Sequence, residues 1–191
     1  MRWKKGGVIL PKTSLYEHNP HRANTEPLDM VVDSDTLKNW LGNYDADNIT
    51  IGVVASHSSL QILHGARMEG FKTLGIAVGE NRRRFYKAFP GAEPDEWLML
   101  ENYREMLDHA EWFRERNVVI IPHGSLVEYL GSSNFRALQV PTFGNRGILH
   151  WESSRARQRQ WLESGGCTMP RVLEDPHDID GPVIVKYAGA K

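Results

Sequence analysis

Two short stretches carry side chains whose types and spacing suit chemistry. Ser56, His57, Ser58 and Ser59 follow a run of strand formers, Ile49 to Ala55, and precede a helical pattern with Leu60, Leu63 and Ala66 on one face. His123, Gly124 and Ser125 follow Pro122 and the apolar run Val118 to Ile121, and lead into a short helix predicted over Leu126 to Leu130. In both places a strand feeds a helix through a polar turn. The first helical turn has N–H groups without intrahelical partners and a partial positive charge. Hydroxyls and an imidazole beside such donors suit an anion. Gly124 lets a ligand approach the backbone closely. The pattern predicts an anion site at Ser56 to Ser59. Its repetition predicts that the two strand ends converge on one ligand, as in open parallel sheets.

Each turn also has a plainer reading, a serine-capped helix for the first and a proline-terminated strand with a capped helix for the second. The chain has no Gly-x-Gly-x-x-Gly and no Walker-type Gly-Lys-Ser/Thr. A serine hydrolase is a weak alternative, because His123-Gly124-Ser125 lacks the Gly-x-Ser-x-Gly elbow and no placed acid completes a triad.

The elements that must position these turns read as an open α/β domain. Asp33, Ser34 and Asp35 offer caps for a helix from Thr36 to Leu41. A second strand is predicted at Thr73 to Val78 and a brief one at Trp97 to Leu100. Arg82, Arg83 and Arg84 beside Phe85 and Tyr86 suit a phosphate or polyanion, but the favoured reading of such a run is a solvated loop. Tyr103, Met106, Leu107, Ala110 and Phe113 follow the helical period and predict one helix from Glu101 to Arg116, with His109 off the stripe. Val140 to Phe143 reads as a short strand or sheet edge. Glu152 to Glu163 reads as a polar helix anchored by Trp151, Trp161 and Leu162 and stopped by Gly165 and Gly166. Val183 to Lys186 reads as a final strand. Met1 to Met30 reads as an irregular arm, with His18 and His21 as polar loop without a third metal ligand.

Composition narrows the class. The 191 residues are 40% hydrophobic and 25% charged, normal for a globular domain. A net charge of -1 gives no bulk attraction to nucleic acid or membrane. The single cysteine, Cys167, excludes an internal disulfide framework and a cysteine-built zinc site, and fits a reducing compartment. There is no apolar run of membrane-spanning length and no signal-peptide core, so the expected location is the cytoplasm.

Four blocks in order, SHSSLQILHGA (Ser56 to Ala66), IPHGSLVEY (Ile121 to Tyr129), VPTFGNRGILHWES (Val140 to Ser153) and DIDGPVIVKYAGAK (Asp178 to Lys191), resemble the archaeal formate-dependent FAICAR synthetases, the PurP family of ATP-grasp ligases. The resemblance runs from about Ile49 to Lys191. It implies an ATP-dependent ligase of purine (IMP) biosynthesis that joins formate to AICAR, giving FAICAR, ADP and phosphate. Formate would be activated as formyl phosphate and attacked by the AICAR amine. The implied cofactors are ATP and Mg2+ or Mn2+, and the implied assembly is a homo-oligomer. The implied fold is a Rossmann-like pre-ATP-grasp domain, with a parallel sheet, followed by the first strand of a truncated ATP-grasp domain. The expected organisation is an arm over 1–30, the Rossmann-like domain over 31–166, and a linker with the start of the ATP-grasp domain over 167–191.

Carried over by position, His57 resembles the family histidine that contacts AICAR, and Ser125 the family serine on the same ligand. Ser58, Ser59 and Gly124 join them as substrate-binding candidates. Lys186 resembles the strand lysine that reaches ATP phosphates in ATP-grasp enzymes. The family's glycine-rich loop and metal-binding carboxylates have no counterpart in these 191 residues. The expectation is therefore that this chain alone does not turn over and binds neither ATP nor metal tightly. The alternative expectation is a non-catalytic domain that binds a nucleotide monophosphate or mediates assembly.

Overall fold

Runs rich in Val, Ile and Leu, each closed by a turn, become the four strands of one parallel sheet. The computed structural model describes residues 32–152, 154–173 and 175–185. The arm, with His18 and His21, lies outside the described residues, as does Lys186.

Helix α1, Ser34–Gly42, opens the described chain, capped by the Asp33 carboxylate on the Thr36 N–H at 2.7 Å. There follow β1 (Thr50–Val54), α2 (Ser59–Met68), β2 (Lys72–Val78), α3 (Glu80–Tyr86), β3 (Glu96–Leu100), α4 (Ala110–Glu115), β4 (Val118–Ile120), α5 (Gly124–Leu130), α6 (Ser132–Ala137), α7 (Ile148–Glu152) and α8 (Arg155–Ser164). The sheet order is β3-β2-β1-β4 and all its pairs are parallel. Thr50 sits opposite Lys72 on one side and Val118 on the other. Parallel strands need crossovers, and α2 and α4 lie within them. The α/β class and the parallel sheet read from the sequence are those observed.

Successive side chains of a strand point to opposite faces, and the core divides accordingly. Val54, Leu74 and Ile76 pack with Met106, Phe113, Leu126 and Phe135 on one face. Val53, Ala55 and Ala77 pack with Leu63 and Tyr86 on the other. Gly75 admits no side chain, since a Cβ there would lie 2.6 Å from the Pro94 ring and 2.8 Å from that of Trp97.

Several expectations change. Arg82 to Arg84 are not loop but helix α3, with Glu80 in its first turn and arginines in its last. Such charges oppose the helix dipole and favour the helix. The single helix expected over Glu101 to Arg116 is two pieces, a 3-10 segment Tyr103–Leu107 and then α4. Asn102 caps the first piece through the Arg104 N–H at 3.1 Å, and the Glu105 carboxylate reaches back to the Glu101 N–H and the Asn102 side chain. These bonds tighten the first turn, while Met106, Ala110 and Phe113 keep one buried stripe across both pieces.

The polar helix expected over Glu152 to Glu163 is likewise two helices, α7 and α8. Ser154 is extended and accepts the Arg157 N–H. Trp151 and Trp161 are exposed rather than anchoring. Val140 to Phe143 forms a sheet edge, bridging Ile120 to Thr142 in parallel.

Residues 170–185 belong to a second unit, described by itself. It holds a 3-10 turn, Pro176–Asp178. The final strand expected at Val183 to Lys186 is not formed over Val183–Val185, which are exposed and pair with no strand among the described residues. A lone extended segment leaves its ladder groups to water, so nothing holds it as a strand.

Candidate functional site

The carboxyl ends of β1 and β4 are neighbours, because those strands pair. The turn after β1 carries Ser56 to Ser59, and the turn after β4 carries His123 to Ser125. The rings of His57 and His123 stack across the gap, with centroids 6.1 Å apart and planes 15° apart. The two turns that share the histidine and serine pattern therefore lie side by side.

His57 is exposed and has φ of +48°, the left-handed region that side chains other than glycine rarely adopt. Such a conformation costs on the order of 1 kcal/mol and persists only where its surroundings enforce it. Ser58 takes the N-cap position of α2, yet its side chain makes no cap bond; its hydroxyl lies 3.2 Å from His57 Nδ1 instead. The serines beside it are engaged with tyrosines. Ser56 Oγ lies 3.1 Å from Tyr129 Oη, and Ser59 Oγ, fully buried, bonds Tyr86 Oη. The serine-cap reading of this turn is thus not the one its side chains follow, and the first turn of α2 lacks a side-chain acceptor.

His123 is fixed on both sides. Its Nε2 lies 2.8 Å from the Val54 carbonyl oxygen, and its Nδ1 accepts the Ser125 N–H at 3.3 Å. The carbonyl can only accept and the amide can only donate, so the proton resides on Nε2. Burial pushes this imidazole below the usual histidine range, with the neighbouring His57 adding in the same direction and the Val54 bond opposing it. A neutral ring with both nitrogens occupied is a platform and a positioner rather than a general base. It presents Gly124, exposed, and Ser125, buried, at the start of α5. His123 and Gly124 also line a cleft of about 390 Å³ with Pro122, Val127, Leu149 and Glu152.

Three tyrosines complete the surroundings. Tyr103 stacks on Tyr129 with centroids 4.8 Å apart and planes 6° apart. Burial pushes up the phenols of Tyr86 and Tyr103, so they stay neutral donors. Arg82 donates from Nη2 to Tyr129 Oη at 3.4 Å. The sequence offers Arg82 to Arg84 as a phosphate or polyanion group only behind the solvated-loop reading, and does not single out Tyr86, Tyr103 or Tyr129 for the site. A signal was available for Arg82, because Arg82 and Tyr86 stand four apart and share a helix face. Among the described residues no group of three or more His, Cys, Asp or Glu is placed to hold a metal ion. No described helix is long and apolar enough to cross a membrane.

Residues 51–173 match the DUF1246 family, described as a protein of unknown function. A 5-formaminoimidazole-4-carboxamide-1-(beta)-D-ribofuranosyl 5'-monophosphate synthetase 1 from Methanosarcina mazei is 55% identical over 162 residues, covering 85% of this chain and 45% of that protein. A 5-formaminoimidazole-4-carboxamide-1-(beta)-D-ribofuranosyl 5'-monophosphate synthetase from Korarchaeum cryptofilum is 45% identical over 164 residues, covering 84% of this chain and 44% of that protein. The crystal structure of an IMP biosynthesis protein PurP from Thermococcus kodakaraensis superposes with a TM-score of 0.54 at 37% identity, over 68% of this chain and 41% of that one. The resemblance read from the four sequence blocks is borne out. The chain spans a little under half the length of these curated relatives.

Proposed function

The chain belongs to the DUF1246 family, and on that premise we propose that it forms the ribonucleotide-binding part of an ATP-dependent ligase that formylates AICAR with formate to give FAICAR. The relatives' names supply the product, and the strand-end turns supply a place for the acceptor. The observation that carries the reading is His57, held exposed in a left-handed conformation and stacked 6.1 Å from His123. An exposed imidazole kept at that angle, with Nδ1 3.2 Å from Ser58 Oγ, has Nε2 to offer a ligand. His57 offers a ring nitrogen to the base or its carboxamide. Gly124 leaves room beside the backbone, and Ser58 and Ser125 offer hydroxyls. Ser59 supports the site through Tyr86 rather than touching the ligand.

ATP and a divalent metal belong to the reaction that the resemblance implies. The described residues supply no carboxylate cluster for the metal, so the part proposed for them is to bind and orient the acceptor whose amine attacks the activated formyl group. Orientation of this kind contributes through lost freedom prepaid on binding.

Calorimetric titration of AICAR tests the reading, with His57→Ala as control. Binding by the natural chain, weakened about tenfold or more in the variant, is the expected result, since a lost charge-assisted or ring hydrogen bond costs on the order of 1–2 kcal/mol. Equal affinity in both, or no binding in either, would remove the assignment.

A further inference from the structure

We infer that Arg82 is the cation that holds the phosphate of the site's ligand, with Tyr129 as its positioning residue. The inference rests on the ribonucleotide reading above and adds the subsite that reads the phosphate monoester.

Arg82 is brought to the strand ends by the turn after β2. Gly79, with φ of +79°, takes the chain out of the strand and directly into α3. There the guanidinium meets groups from two other elements. Its Nη2 donates to Tyr129 Oη at 3.4 Å, and that hydroxyl lies 3.1 Å from Ser56 Oγ, in the turn that also carries His57. Tyr129 is itself fixed by its stack on Tyr103. The cation sits close enough to favour the ionised forms of the Tyr86 and Tyr103 hydroxyls, against the larger effect of burial.

The charge around Arg82 is unbalanced. Arg83, its neighbour, lies 3.9 Å from the Glu80 carboxylate, but no acid among the described residues lies within ion-pair distance of Arg82. Among the described residues its side-chain hydrogen bond is the long one to Tyr129 Oη. That bond aims the side chain and leaves most of its planar fork of N–H donors open. Ser56 to Ser59 and His123 to Ser125 bring no negative charge. A guanidinium joined through Tyr129 to the turn that carries Ser56 and His57 matches a phosphate oxygen fork, for which its geometry is suited. A purely solvated arginine would have no reason to reach a tyrosine 47 positions along the chain.

The experiment titrates three probes into the natural chain, Arg82→Gln and Arg82→Lys. The probes are AICAR, its dephosphorylated nucleoside, and ribose 5-phosphate. The expected result is that Arg82→Gln weakens AICAR and ribose 5-phosphate by about tenfold or more and leaves the nucleoside unchanged, because a charge-assisted bond to phosphate is lost and nothing else. Arg82→Lys falls between, keeping charge without the fork. Phosphate-dependent affinity in the natural chain also falls with added salt. Ribose 5-phosphate binding lost in Arg82→Gln, with AICAR binding no tighter than the sugar phosphate, keeps the phosphate subsite and rejects the purine precursor as ligand. Equal weakening of nucleoside and nucleotide, unchanged binding of ribose 5-phosphate in Arg82→Gln, or no binding of any phosphate ester by the natural chain overturns the proposal. Thermal melts of the variants within about 2 °C of the natural chain accompany the expected result, as for an exposed side chain.

Discussion

The Nε2 proton of His123 is donated to the carbonyl oxygen of Val54 at 2.8 Å, and this bond ties the carboxyl end of β4 to that of β1. β1 and β4 pair over Thr50 to Gly52 and Val118 to Ile120. The histidine carries the connection beyond that ladder, where the polar turns begin. It also sets the distance between the turns that carry His57 and His123.

Burial of the His123 ring gives the fold a pH dependence with a definite sign. The usual value for histidine is 6.5, and burial places His123 below it in the folded chain. The unfolded chain therefore takes up the proton first as pH falls. The stability due to neutral His123 is fully present above the unfolded value and is lost as pH falls from 6.5 toward the folded value. Urea midpoints should be flat above about pH 7 and decline below it, and His123→Gln should flatten the decline. An equal decline in both chains would assign it to other groups.

Asp95 fastens β2 to the start of β3. Its carboxylate accepts the Thr73 N–H at 2.9 Å and the Thr73 hydroxyl at 2.8 Å, and its own N–H donates to that hydroxyl at 3.0 Å. Arg67 adds an ion pair at 3.0 Å, exposed and of little weight beside these. Thr73 is 1% exposed, so its N–H has no water to turn to. Asp95→Ala should cost about 2–3 kcal/mol in chemical denaturation, whereas Arg67→Ala should cost under about 1 kcal/mol.

Two glycines should respond to alanine with opposite signs. At Gly75 the methyl meets Pro94 and Trp97 inside 3 Å, both part of packed structure. Overpacking there should cost about 1–3 kcal/mol. At Gly65, inside α2, the methyl meets nothing within 4 Å. Gly65→Ala should stabilise by about 0.5–1 kcal/mol through helix preference. Thermal midpoints of both variants check the pair of signs.

Arg146 holds a segment with no regular ladder of its own. Its guanidinium bonds the carbonyls of Leu138 and Val140 and lies 5.6 Å from the Phe135 ring. Burial pushes it down to about 10. Arg146→Lys keeps charge but cannot span both carbonyls in one plane. The expected loss is about 1–3 kcal/mol in urea unfolding, with faster amide exchange over 138–140.

The strands were legible because each is an apolar run of strand length between turns, and a buried parallel sheet needs little more. The breaks inside the helical stretches were hidden. Met106, Ala110 and Phe113 give one continuous stripe, and the Asn102 and Glu105 side chains that split the helix act through bonds that periodicity does not register. The two strand-end turns could be paired from their shared histidine and serine content. The division of labour among the serines could not, because it depends on Tyr86 and Tyr129, which lie 27 and 73 positions from their partners. Arg82 was obscured by the like-charged residues beside it, and only the helix phase separates it from Arg83 and Arg84.

The sheet order has a consequence for the chain as it is made. β1 is interior, flanked by β2 and β4. Its first partner follows directly, but β4 is synthesised about 70 residues after β1, roughly 4 to 14 s later at ordinary translation rates. Through that interval one side of β1 stands as an open template for other nascent chains. The turn that carries His123 and Ser125 follows β4 directly, so the segment that covers this edge and the segment that ties it to Val54 are made together.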